Sequence, residues 1–252
     1  MKTAIFYLTH IYNEAIDRQL WKLHDEVEDM ADIFVAYQKD KYSLHVPSKF
    51  ATAPFGLDDI NELGYRTWGN ALLEGNMHLV WLDLFHRFPS YNYYWFLEYD
   101  VRFNGNWKSF FSVFEESGCD FVSSHIETRR DNPAWFGWNC MRLVNLKIQD
   151  SLLLKSFDPI CRLSSRALSL LDERCTLGDI GNLEILLPTL FQYYKLTTCD
   201  IGNMNDHTDG IFNSFYKKYV DREGRETCTH RFRPLFTENE MTIPNMIYHP
   251  IK

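Results

Sequence analysis

Residues 93–100 read Tyr93-Tyr94-Trp95-Phe96-Leu97-Glu98-Tyr99-Asp100. Five large apolar residues in a row leave no polar face. The run therefore predicts a central strand buried on both sides, as in a parallel sheet covered by helices. Two carboxylates follow at once. At i and i+2 of an extended segment they point the same way, and they stand where ligands collect in open α/β sheets, at the C-terminal end of a strand. Such a pair can share a divalent cation, and hard oxygen ligands suit Mg²⁺ or Mn²⁺. The plainer alternative is a solvated acidic turn.

The pattern on either side agrees with a parallel sheet. Ala4 to Leu8 is a short apolar run that predicts a first buried strand. Asn13 to His24 carries Ile16, Leu20 and Leu23 at helical spacing, and Asp32 to Tyr37 predicts a second strand. Parallel neighbours need such a crossover. Asn70 to Phe88 and Asn106 to Glu116 predict helices, and Asp120 to Ser124 another strand. Residues 41–63 and 125–140 read as loops, the second long enough to be functional. Pro159 to Leu171 predicts a helix. Asn182 to Tyr194 predicts a helix kinked by Pro188 or split into two pieces. Leu196 to Ile201 predicts a late strand. The expectation is one α/β domain, with a mostly parallel central sheet flanked by helices.

The chain has 252 residues, a hydrophobic fraction of 45% and a net charge of -8. That length can bury a full core. The acidic balance excludes the basic face a nucleic-acid binder needs. The six cysteines, at 119, 140, 161, 175, 199 and 228, form no C-x-x-C pair. Their scatter predicts reduced, mostly buried thiols, and with no visible leader the cytoplasm is the expected compartment. No apolar run reaches the length of a membrane span, which leaves at most a peripheral association with membranes. P-loop, G-x-G-x-x-G, H-E-x-x-H and G-x-S-x-G motifs are absent, against kinase, dehydrogenase, zinc-protease and esterase chemistry.

The order apolar-apolar-Glu98-Tyr99-Asp100 resembles the D-x-D-type motif of GT-A nucleotide-diphospho-sugar glycosyltransferases, with Glu98 where Asp is commoner. The resemblance implies a single Rossmann-like GT-A domain over residues 1–252, with a nucleotide-binding half over about 1–105 and an acceptor-binding half over about 106–252. It implies Asp100 as main ligand of a divalent metal, Glu98 as a second contact, and His249 as a ligand folding back in Tyr248-His249-Pro250. Lys252 would meet the diphosphate. Glu184, in Asn182-Leu183-Glu184, resembles the catalytic base of inverting members, with Asp179 as the rival. Thr9, His10, Asn13, Tyr37, Arg66 and Asn70 fall where base, ribose and phosphates are held.

In the loop 125–140, Trp135 and Trp138 offer flat faces to an acceptor sugar, and Arg129 and Arg130 suit an acidic one. The partners implied are a nucleotide-sugar donor and a saccharide or glycan acceptor. Rival expectations are a glycoside hydrolase, which also uses two carboxylates, and a non-catalytic carbohydrate-binding protein. A nucleotidyltransferase would show a Gly-rich basic loop after the first strand, where this chain has Thr9 to Asn13.

Overall fold

The computed structural model describes residues 2–69, 74–202, 214–221 and 223–252. The elements follow in the order β1 (Thr3–Leu8), α1 (Glu14–Val27), β2 (Ala31–Ala36), β3 (Ala51–Thr52), α2 (Leu57–Glu62), α3 (Met77–Arg87) and β4 (Tyr93–Glu98). Next come β5 (Arg102–Phe103), α4 (Trp107–Ser117), β6 (Phe121–Thr128), β7 (Met141–Arg142), β8 (Leu154–Ser164), α5 (Ser165–Leu177) and β9 (Ile180–Gly181). The last are α6 (Leu183–Tyr193), β10 (Thr198–Asp200), β11 (Lys218–Val220), β12 (Glu226–Cys228) and β13 (Ile247–Tyr248).

Seven strands form one sheet in the order β10-β6-β8-β4-β1-β2-β3. The Tyr93–Glu98 strand is fourth of the seven, as its apolar run requires. It pairs in parallel with β1, Phe6 opposite Phe96, and β1 pairs in parallel with β2. Alternate side chains serve opposite faces. Phe6, Tyr94 and Phe96 pack under α3, α5 and α6, while Ile5, Tyr7, Trp95 and Leu97 pack under α1 and α4. Each fully buried ring or branched chain contributes roughly 1.5–3 kcal/mol.

The helix ends follow local chemistry. Asn13 caps α1 by accepting from the Ile16 N–H at 3.0 Å, and Asn106 caps α4 at Ser109. α3 begins at Met77, later than its apolar periodicity suggests. Gly75 has φ +76°, and the buried Asn76 amide clamps both the N–H and the carbonyl of Trp68. Residues 70–73, and so the expected start at Asn70, lie outside the described residues.

Three expectations are corrected. Residues 159–164 are strand: β8 runs antiparallel between β4 and β6, and the helix starts only at Ser165. Pro159, which has no N–H to give a ladder, falls beside register shifts in the β6–β8 pairing. The loop after residue 124 starts later, because β6 continues to Thr128. Cys119 and Cys199 form a disulfide, Cα atoms 6.3 Å apart, because β10 lies in parallel beside β6. The other four cysteines are free. Pro188 lies inside a single α6 helix. Lacking an N–H, it leaves the Glu184 carbonyl without its helical partner, and the Ser156 hydroxyl meets that carbonyl at 3.5 Å. Among the described residues no helix is long and apolar enough to cross a membrane.

Candidate functional site

The site begins where β4 ends. Glu98 is half-exposed and Asp100 is buried. After Val101 the chain enters β5, which pairs antiparallel with β13, Tyr248 opposite Arg102. The Ile251 N–H donates to the Asp100 carbonyl at 2.9 Å. This pairing lays His249 beside the acidic pair. Its Nε2 lies 3.5 Å from Asp100 Oδ1 and 3.7 Å from Glu98 Oε2. Its Nδ1 lies 2.7 Å from the Arg231 carbonyl. A carbonyl only accepts, so Nδ1 carries the hydrogen and Nε2 is turned to the carboxylates.

Glu98, Asp100 and His249 place ligand atoms within 4.8 Å of one another. The separations are too long for direct hydrogen bonds. Asp100 Oδ1 is buried with no hydrogen-bond partner, which is costly unless something positive meets it. Burial pushes the Asp100 carboxyl above its ordinary value, with the His249 charge opposing. Two carboxylate oxygens and an imidazole nitrogen fit a divalent cation such as Mn²⁺, and Mg²⁺ less well because of the nitrogen.

Two cavities meet at this cluster, and a third joins the second of them at Glu184. The first, of about 280 Å³, is bounded by Thr9, His10, Gln38, Tyr42, Phe55 and Tyr99, with Glu98 and Asp100 at its inner end. The second, about 250 Å³, contains Glu98, Asp100, His249 and Lys252, then passes Trp81 and Asp158 to Glu184. The third, about 530 Å³, starts at Glu184, Leu183 and Phe157 and opens between Trp135, Phe136 and Phe232. The shared walls make one trough, with the acidic pair between the first two chambers and Glu184 between the last two.

Glu184 is the second residue of α6, beyond the Asn182 cap, whose side chain accepts its N–H at 2.9 Å. Burial, then the neighbouring Asp158 charge, pushes its carboxyl up to about 7, with Lys155 opposing. A carboxylate with that value is poised as a base near neutral pH.

The other expected residues divide. Thr9 turns its hydroxyl to the Ile11 carbonyl at 2.6 Å and lines the first cavity with His10. Asn13 is occupied as the α1 cap. Tyr37 is half-buried after β2 and does not line the cavity, whereas Tyr42 and Tyr99 do. Arg66 lies exposed next to Gly178, at the C-terminal end of α5. Asn70 lies outside the described residues. Asp179 is buried, with both oxygens taken by Arg174, at 2.7 and 3.0 Å, and by the Val144 N–H at 2.6 Å. Arg129 faces the exposed Asp150 at 3.4 Å, and Arg130 is exposed. Trp138 is core, packed on Leu153 and Ile185, with its indole N–H on the Asn132 carbonyl. Trp135 lines the third chamber.

Sequence patterning missed Lys155, Asp158 and His230. Because β8 runs antiparallel, its first half reaches the C-terminal ends of the parallel strands and carries Lys155 and Asp158 into the trough. Asp158 is hydrogen-bonded by Ser123 and Ser156, and burial pushes its carboxyl up to about 6. His230 arrives through a bridge to His249. No local signal marks any of the three.

No family model matches the chain, and no curated protein matches it. Among solved structures the chain is similar to the galactosyltransferase LgtC in complex with donor and acceptor sugar analogues, at 8% identity over 79% of this chain and 73% of that one, TM-score 0.44. It is similar to a Bacillus anthracis protein classed as a glucose-1-phosphate thymidylyltransferase, at 15% identity over 79% and 86%, TM-score 0.44. It is similar to mouse xyloside xylosyltransferase 1, at 10% identity over 79% and 85%, TM-score 0.40.

Proposed function

We propose that the protein is a metal-dependent, inverting glycosyltransferase that moves a sugar from a nucleotide diphosphate to an acceptor hydroxyl. One observation supports this most: Asp100 and Glu98 are shared by two chambers, with His249 beside them in the second, and the carboxylate of Glu184 is shared by the second and a third. A group transfer from a charged donor needs that order, with charge neutralisation at the leaving group and a base on the far side.

In this reading the first chamber takes the nucleoside, lined wholly by residues before about 105. The third takes the acceptor, lined mostly by residues after about 106. Asp100, His249 and Glu98 hold the divalent cation, which when bound supplies positive charge to the departing diphosphate. Lys252 adds a second positive charge on the same side. Glu184 takes the acceptor proton as the acceptor oxygen bonds the anomeric carbon and the bond from that carbon to the diphosphate oxygen breaks. Glu98 and Asp100 lie on the diphosphate side, so the base role falls to Glu184 and the centre inverts. Asp179, locked by Arg174, is not needed as a base.

The test is a donor screen across UDP-, GDP- and dTDP-sugars with Mn²⁺, reading nucleotide release, followed by NMR of the product linkage. The proposal expects release from one donor class and an inverted linkage. A retained anomeric configuration would remove the inverting step.

A further inference from the structure

The chamber beyond Glu184 has an unusual lining for a site that takes a sugar. Its rim is aromatic: Phe136 is 80% exposed and Phe232 is 73% exposed, and the Trp135 and Phe136 rings lie 5.7 Å apart at 44°. Exposed rings of this size carry no packing benefit where they stand, and flat apolar faces suit the C–H side of a pyranose.

The floor is polar, and both of its cations are engaged by protein groups. Lys155 is buried and lies 3.1 Å from Glu127. Arg231 donates to the Pro234 carbonyl at 2.9 Å and to the Thr227 hydroxyl, and its guanidinium lies 3.7 Å over the Phe236 ring. Arg129 and Arg130 do not line the chamber among the described residues. An anionic ligand here would face Glu184, while Lys155 is already matched by the Glu127 carboxylate and the Arg231 guanidinium is held by two neutral acceptors and a ring. His230, in contrast, is fully buried and neither ring nitrogen has a hydrogen-bond partner. A buried imidazole left this way is a donor and an acceptor waiting for a neutral polar group.

We infer that this chamber is a stacking subsite for an uncharged sugar, which lays a ring face on Trp135 and Phe136 and gives a hydroxyl to His230. The inference rests on the transferase reading only for what the sugar does there, namely act as acceptor.

The experiment is saturation-transfer NMR on the full chain with methyl galactoside, methyl glucoside, methyl xyloside and methyl glucuronide, repeated with Trp135→Ala, Trp135→Phe and Phe136→Ala. At least one neutral glycoside should bind, with the glucuronide about tenfold weaker. Trp135→Ala and Phe136→Ala should each weaken binding by about tenfold, the scale of losing one buried ring, and Trp135→Phe should recover part of it. Phe136 is a surface ring, so its removal leaves the core alone. The inference is overturned if the glucuronide binds as well as the neutral sugars, if no neutral sugar binds, or if both alanine variants bind like the parent. Neutral sugar binding without nucleotide release from any donor would sustain the subsite and remove the transferase reading instead.

Discussion

His249 Nε2 stands 3.5 Å from Asp100 Oδ1, a buried oxygen with no hydrogen-bond partner. The β5–β13 pairing fixes that relationship, and the Arg231 carbonyl sets the ring's orientation. Two distant segments therefore make one electrostatic unit.

Replacing Asp100 should disable that unit. Asp100→Ala should lower transfer by about two to four orders of magnitude, the scale of losing a main stabiliser of developing charge. Chelation of the parent with EDTA should do the same, and Mn²⁺ should restore it. Full transfer in EDTA would end the metal assignment.

His249→Ala should weaken Mn²⁺ binding by about 10- to 100-fold with the fold intact. A point change is the informative variant. Deleting the segment would also strip Tyr248 and Ile251 from the cluster they form with Phe236. Isothermal titration of Mn²⁺ into both proteins decides the matter, and equal affinities would leave His249 a structural residue.

The acid dependence of rate should come from Glu184. A base acts in its ionised form, and this carboxyl is pushed up to about 7. Transfer should fall tenfold per pH unit below about 7 and level off above it. Glu184→Gln should lose about two to four orders of magnitude and show no such slope. A parental profile flat from pH 5 to 8 would move the base elsewhere.

Acid stability should depend on His78. It is buried, and burial pushes its imidazole from 6.5 down to about 3. Above 6.5 it is neutral folded or unfolded and adds nothing to the pH dependence. Between 6.5 and about 3 the unfolded chain takes a proton that the folded one refuses, so stability drops by about 1.4 kcal/mol per pH unit. Urea unfolding at pH 7.5 and 5.5 should show this loss in the parent, and a smaller loss in His78→Gln. Equal losses in both would clear His78 of the effect.

Much of this arrangement is legible in the sequence because it is local. Tyr93 to Asp100 carries its own burial pattern, and Asn13 and Asn106 announce their helices. β8 is not legible. It is buried throughout most of its length yet contains Lys155, Ser156, Asp158, Pro159 and Arg162, a composition that reads as surface. Arg162 is tolerated there because its guanidinium donates to the Phe114 and Cys119 carbonyls. Ala167, Leu168 and Leu171 do show helical spacing, but they belong to α5, and the pattern extends backwards by accident over the strand. The same blindness hid Asp158 and the Cys119–Cys199 pair, which only the strand order brings together. Trp135 and Trp138 look alike in sequence; the Asn132 carbonyl and Ile185 draw one inward and leave the other at the cleft.

The most direct test of the central claim is thermal unfolding of the full chain with UDP, GDP or dTDP, each with and without Mn²⁺. A ligand that binds only the folded state raises its stability, by about 2.7 kcal/mol at a hundredfold excess over Kd. One nucleoside diphosphate should raise the midpoint when Mn²⁺ is present and not when it is absent, and Asp100→Asn should abolish the rise. No shift with any of the three, or the same shift in the Asp100→Asn variant, would contradict a nucleotide-sugar site at the end of β4.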